Sequence, residues 1–254
     1  MRVLVCVKRV PEVAGRITLT EDARAIDTKY VGFTVGPHEE CAVEEAVRLI
    51  EAHGGESVVL TLGPAESLEQ LRDAMALGVS RAIHLVTDGE EWDGESTAAA
   101  IVGAIRADEA EAGPFDVVLL GNEAADAGGY QVGVRIGRAL GRPVVTGIKG
   151  LSVADGTARC EQEADGGRDV YEVRTPAVVG VMEGINLPRY PSVPGRLRAK
   201  SKPVAASSPD RPSQRLEMIR LVVPQAAAKK AQVLGHGPDA APAVVALLQS
   251  VGLV

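Results

Sequence analysis

The sequence predicts an α/β protein: a doubly wound, mostly parallel sheet with a β-hairpin addition and an extended C-terminal tail. Three observations lead there. In the first two-thirds of the 254 residues, short apolar runs alternate with amphipathic segments over short connections, as in repeated βα units. The runs are apolar at consecutive positions, which fits strands covered on both faces. Beyond Leu151 the apolar period shortens to two and a turn signal appears, which fits an antiparallel hairpin.

Val3–Val7 is the first strand. Ile17–Thr20 and Ala25–Asp27 read as a short polar hairpin. Gly36-Pro37 opens a helix, because proline suits the first helical position and Glu39 and Glu40 then face the positive end of the dipole. Val43, Ala46, Val47 and Ile50 form its apolar stripe, and Gly54-Gly55 end it. Ser57–Leu62 is a strand, and Gly63-Pro64 opens a second helix with Leu68, Leu71 and Met75 on one face and Gly78 as its stop. Ala82–Val86 is a strand, Glu95–Glu111 an alanine-rich helix, and Asp116–Leu120 the central strand. A further helix begins near Tyr130, with Val132, Ile136 and Leu140 at four-residue spacing, and Val144-Val145 start a strand after Pro143. Thr157–Ala164 and Asp169–Arg174 flank the turn Asp165-Gly166-Gly167, and Pro176–Met182 is another apolar strand. Leu216–Val223 reads as a strand and Ala240–Leu253 as a final amphipathic helix. The expected division is residues 1–202, a nucleotide-binding α/β domain with its hairpin and a proline-stiffened loop, and 203–254, an arm with too little apolar surface to fold alone.

The stretch from Val117 to Leu140 carries the most chemistry. An apolar run ends at Gly121, a loop of small and polar residues follows to Gly129, and a helix begins. First-turn N–H groups have no intrahelical acceptor, and the helix dipole adds about half a positive charge there. Gly128 and Gly129 tolerate positive φ and let a ligand approach the backbone, so a nucleotide phosphate is the expected occupant. Ligands in open α/β sheets bind beyond the carboxyl ends of the strands. The glycine-bearing loops Thr34–Pro37, Leu62–Pro64 and Gly121–Gly129 are expected to converge there.

Several function classes are excluded. A net charge of −7 argues against a general nucleic-acid surface. The few aromatics (Phe33, Phe115, Trp92 and four tyrosines) do not favour a flavin held between rings of this chain. Cys6, Cys41 and Cys160 form no CxxC pair, and the four histidines show no metal-ligand spacing, so a reducing, cytoplasmic setting without a metal is expected. The Val3–Val7 run is too short for a signal-peptide core, and no segment approaches the ~20 apolar residues of a membrane span. There is no phosphate loop ending in Gly-Lys-Ser/Thr, no GxGxxG after the first strand and no GxSxG elbow, and no catalytic constellation emerges. Glu123 and Asp126 are carboxylates in the presumed pocket, and loop capping and turn hydrogen bonding are expected of them ahead of catalysis.

Five motifs, in order, resemble the β subunit of electron transfer flavoprotein over nearly the whole chain. They are Arg2–Glu12 (RVLVCVKRVPE), Cys41–Glu51 (CAVEEAVRLIE), Leu62–Ala65 with Ala76–Val79, Glu161–Val181 (EQEADGGRDVYEVRTPAVVGV) and Ile185–Lys202 (INLPRYPSVPGRLRAKSK). The resemblance implies an adenine-nucleotide α-hydrolase-like fold and an electron carrier without a substrate of its own. It implies a heterodimer with an α subunit that holds most of the redox FAD, with the C-terminal arm packed on that subunit. It implies an AMP in this chain, and partner acyl-CoA or other dehydrogenases, as in fatty acid oxidation, with a membrane reached only through a quinone oxidoreductase.

Carried over by position, the AMP pocket comprises Cys6, Gly36, Pro37, His38, Glu39, Leu62, Gly121, Asn122, Glu123, Asp126, Gly128, Gly129, Tyr130, Gln131 and Val132. Cys6 is expected near the base, Gly36-Pro37 near the adenine, and the N–H groups of Gly129 to Gly133 on the phosphate. Asp126 is open to a ribose hydroxyl or to a helix cap. The partner-binding loop comprises Pro188, Arg189, Tyr190, Val193 and Pro194, with Val193 as its apolar anchor and Arg196, Arg198, Lys200 and Lys202 steering acidic partners. Gly36-Pro37-His38 and Ala127-Gly128-Gly129-Tyr130 depart from common family patterns. A second FAD in place of AMP, as in electron-bifurcating members, and a stand-alone adenine-nucleotide-binding protein are the alternatives.

Overall fold

The structure, a computed structural model, describes residues 1–12, 17–212, 215–216, 218–223 and 232–253. Its frame is a nine-stranded sheet. From one edge to the other run β11 (Val204–Ser207), β5 (Arg81–Val86), β4 (Glu56–Gly63), β1 (Arg2–Cys6), β6 (Val117–Gly121), β10 (Ala177–Val181), β7 (Val144–Ala154), β8 (Thr157–Ala164) and β9 (Gly167–Arg174). Pairing is parallel from β11 through β7 and antiparallel from β7 to β9. The doubly wound sheet and its hairpin addition are thus as the hydrophobic pattern predicts. A separate ribbon pairs β2 (Val10–Pro11) with β3 (Phe33–Thr34). Leu19 and Ile26 form an antiparallel bridge in the expected polar hairpin.

Alternate residues of β1, continued by Val7 just past it, feed the two layers. Val3, Val5 and Val7 pack with α1 (Pro37–His53) and α2 (Leu68–Leu77), and Leu4 and Cys6 pack with α3 (Gly94–Ala112) and α4 (Gln131–Leu140). Each such buried aliphatic side chain contributes roughly 1.5–3 kcal/mol. The cap residues explain the boundaries. Pro37 starts α1, and Gly54, with φ 69°, ends it by donating its N–H to Ile50 O. Asp93 caps α3 by accepting from Ser96 N–H at 2.7 Å. Leu68, expected on the apolar face of α2, is 38% exposed, because a 3₁₀ turn over Ala65–Ser67 starts the helix at that residue.

Two expectations are corrected. Leu216–Val223 forms no strand among its described residues; instead Leu221 N–H donates to Ala23 O at 2.7 Å. The edge strand is β11, whose small residues lie beside β5 just past Pro203. Residues 185–202 are not loop throughout: Val193–Ala199 is a helix, α5, capped by Ser192, whose Oγ accepts from Gly195 N–H at 3.1 Å. Prolines that read as loop stiffeners include one in its first turn, where no intrahelical N–H is needed. The last helix, α6 (Ala241–Ser250), has no buried residue. Among the described residues no helix is long and apolar enough to cross a membrane.

Candidate functional site

From β1 the chain winds through β4 and β5 toward one edge, then returns by α3 to β6 on the other side of β1. The strand order therefore reverses between β1 and β6, and the crevice beyond their carboxyl ends is the expected ligand position. Cys6 and Gly121 are the last residues of these two strands, and Leu62 is near the end of β4, next to β1. Cys6 is buried, and burial pushes its thiol up to about 12, so it acts as a small apolar residue.

The loop before α1 closes against the loop after β6. A Cβ on Gly36 would stand 2.5 Å from Glu39 Oε2 and 3.3 Å from Ala125 Cβ; one on Gly121 would stand 2.8 Å from Glu39 Cδ. The Glu39 carboxyl thus occupies the space that glycine leaves on both loops. Glu39 is 4% exposed, its Oε2 has no hydrogen-bond partner among the described residues, and burial pushes its pKa up to about 7. His38 Nδ1 accepts from Glu183 N–H at 2.8 Å, and its Nε2 lies 3.4 Å from Glu123.

Lys8, just past β1, reaches Asp126 at 2.8 Å and Glu91 at 2.7 Å. Burial opposes its charge, but the two carboxylates outweigh burial and raise its pKa. Asp126 also accepts from Ala127 N–H, so it shapes the loop and does not cap α4. The Asn122 Oδ1 accepts from Gly147 N–H at 2.8 Å and so ties the loop after β6 to β7. Tyr130 is exposed, and its hydrogen bond to Glu123 raises its pKa. Gln131 accepts from Arg135 and lies beside Gly94. A Cβ on Gly128 or Gly129 would meet nothing within 4 Å, and α4, with Val132 in its first turn, starts just past this loop.

The segment from Asn186 to Ala199 is tied to α1 by its acidic face. Asn186 Nδ2 donates to Glu45 at 2.9 Å and to Cys41 O at 3.0 Å. The Arg189 guanidinium donates to Glu44 at 2.9 Å and to Glu51 at 2.6 Å, and these bonds raise its pKa. Glu44 is buried at 4% exposure. Beyond this clamp Tyr190, Val193 and Leu197 stand 96%, 73% and 61% exposed, with Leu187 beside them at 91%. Pro188 and Pro194 bracket the projection. The apolar surface is thus wider than the single Val193 anchor.

Sequence reasoning did not single out Lys8, Glu91 or Leu197, and it did not foresee the clamp. Its one available signal was the run of acids in Cys41–Glu51, charged on a helix otherwise facing the core. An open cavity lined by Met1, Asp116 and Gly156 lies at the opposite, amino end of the strands. No group of acids, histidines and cysteines able to hold a metal occurs among the described residues.

Residues 24–212 match the family model of the electron transfer flavoprotein domain. An electron transfer flavoprotein subunit beta of Syntrophomonas wolfei is 35% identical over 229 residues, covering 90% of this chain and 88% of that one. The corresponding protein of Bacillus subtilis is 33% identical over 208 residues, 80% of this chain and 77% of its own. The human one is 34% identical over 210 residues, 82% of each chain.

Proposed function

The chain belongs to the electron transfer flavoprotein β-subunit family, and on that premise we propose that it is the β half of a heterodimeric electron carrier, has no catalytic centre of its own, binds AMP in the β1–β6 crevice and docks dehydrogenases through Pro188–Leu197. The observation that carries the nucleotide reading is the closure of the Gly36–Glu39 and Gly121–Asp126 loops around a buried carboxylate oxygen with no partner among the described residues, beside the start of α4, whose first-turn N–H groups have no intrahelical acceptor. These residues fit an adenylate. The first turn of α4 is suited to the phosphate, and Cys6 and Leu62 give the crevice an apolar floor. The α subunit would hold the FAD, which supplies one- and two-electron chemistry when bound. The part of this chain is to brace that subunit and to present a docking surface. The reading places the heterodimer in the cytoplasm and has it pass electrons from acyl-CoA or other dehydrogenases toward a membrane quinone oxidoreductase.

Denaturing the heterodimer purified with its α-type partner and counting released nucleotides tests this. One FAD and one AMP per heterodimer is the expected result. Two FAD and no AMP points to the bifurcating type, and a chain that ignores the α subunit and turns over ATP overturns the reading.

The docking surface makes its own prediction. Val193 is exposed, so Val193→Ala is expected to leave folding, nucleotide content and heterodimer intact. Electron transfer from a donor dehydrogenase should slow by roughly five- to ten-fold, the scale of about 1 kcal/mol for an apolar truncation at an interface centre. Equal loss of thermal stability and transfer would instead make Val193 a packing residue.

A further inference from the structure

A buried polar atom with no partner costs about 1–3 kcal/mol, more when charged. Native structures keep one mainly where something else supplies the hydrogen bond. Glu39 Oε2 is such an atom. Its residue is 4% exposed at the third helical position of α1, and Gly36 and Gly121 leave room for its carboxyl between the two loops of the crevice. The backbone N–H of Glu39 itself bonds the carboxyl. The charges facing it come from three elements. Asp126 on the β6–α4 loop and Glu40 on α1 oppose ionisation, whereas Lys8 beyond β1 favours it. Lys8 is already shared by Glu91 and Asp126.

This arrangement sorts the two ends of a nucleotide. A phosphate beside Glu39 would set anion against anion in a site shielded from water, where the repulsion is strong. The phosphate therefore belongs at the α4 start, and the nucleoside half falls to Glu39. Resting on the adenylate reading above, we propose that Glu39 is a specificity-determining residue that accepts a hydrogen bond at Oε2 from a hydroxyl or amine of the bound nucleoside, and that binding fixes it as the carboxylate and releases a proton. The balance is simple: the acid form of Glu39 gives its proton to solvent, and the ligand's O–H or N–H donates to the oxygen it leaves. Burial pushes the free Glu39 carboxyl up to about 7, and only its ionised form offers both oxygens as acceptors, so binding favours that form. Affinity rises as pH increases through that value and levels off above it.

The experiment uses the heterodimer refolded from denaturant with FAD and without AMP. It is titrated calorimetrically with AMP, 2′-deoxy-AMP, 3′-deoxy-AMP and IMP, in two buffers of different ionisation heat. A fraction of a proton should leave per AMP bound at pH 7, because burial keeps part of the free Glu39 carboxyl protonated there. Glu39→Gln should bind AMP about ten-fold more weakly, the scale of one charge-assisted hydrogen bond, with no proton release and unchanged FAD content. One of the three analogues should lose a similar factor against the wild type only, and which one does names the donor as a ribose hydroxyl or the base amine. Should Glu39→Gln fail to assemble, the proton count and the analogue series on the wild type still decide. No proton exchange with all analogues bound like AMP would make Glu39 a buried acid serving only the fold, leaving the adenylate reading in place. A wild-type heterodimer that takes up no adenine nucleotide would overturn the adenylate reading and this inference together.

Discussion

Asp108→Ala is expected to destabilise the chain by about 3 kcal/mol, enough to lower Tm by roughly 6–12 °C in a domain of this size. Asp108 sits at the amino end of the sheet and takes Arg2 at 2.6 Å and Arg81 at 2.7 Å. The side chains of Arg2, Arg81 and Asp108 are only 16%, 21% and 13% exposed. Removing the carboxylate leaves two largely buried guanidiniums with Glu56 as their one shared carboxylate among the described residues, and Arg2 otherwise bonded to Gly113 O. Breaking such a group costs more than the group contributes, because the remaining charges stay desolvated. The figure is set at the low end of the usual range, since Glu56 still pairs Arg81 at 2.9 Å and Arg2 at 3.3 Å. A thermal or denaturant melt decides, and a variant as stable as the parent would show that water reaches this cluster freely.

The same cluster sets an acid limit. The hydrogen bond from Arg81 holds the Glu56 carboxyl below its ordinary 4.5, with Arg2 adding to it. A carboxyl whose folded pKa is depressed contributes stability that is fully present above the unfolded value. That stability is lost as pH falls through the folded one. The loss therefore begins below about pH 4.5 and is absent at neutrality. Glu56→Gln should flatten the acid limb of a stability-versus-pH curve and leave its neutral plateau lower.

The second large effect is at Arg189. Arg189→Ala is expected to cost about 2 kcal/mol, roughly 4–8 °C in Tm, and to slow electron transfer from donor proteins further than stability alone explains. The cost arises from Glu44, buried at 4% exposure and left without its guanidinium. The arm to Glu51 counts for little because that carboxylate is 56% exposed, and Arg189 itself is 37% exposed, so the full penalty of a buried pair does not apply. Adding Glu44→Gln to Arg189→Ala removes the stranded charge and should recover about half of the lost stability. It should not recover transfer, because the docking segment is still untethered. A double variant no more stable than the single would place the cost in lost packing of the arginine stem.

The clamp shows where sequence reading stops. Glu44 and Arg189 lie 145 positions apart, and both were visible in motifs, yet nothing local pairs them. In the sequence, Glu44 and Glu45 look like the polar side of a surface helix. They are buried because residues 186–189 lie over them. Helix α5 was hidden for a different reason: three prolines within seven positions suggest a loop, although one of them fits the first turn of a helix started by Ser192. The edge strand β11 is four small residues after a proline and carries too little periodic signal to be read.

The loops that bear the candidate site were legible. The glycine loops after β4 and β6 and before α1 announce themselves by composition, and parallel βα order puts them at one end of the sheet. Asn122 and Asp126 make contacts that no local signal announces. One braces β7 through Gly147 and the other pairs with Lys8.

The sequence by itself determined the doubly wound class, most element boundaries and the loops that bear the candidate site, because periodicity, caps and glycine positions act within a turn or a strand. Only the tertiary structure decided that the strand order reverses between β1 and β6, that Arg189 closes on Glu44, and that Glu39 Oε2 is buried with no partner among the described residues. Those outcomes depend on which distant segments exclude water from a charge, and desolvation is a property of the assembled neighbours and not of any one stretch of chain.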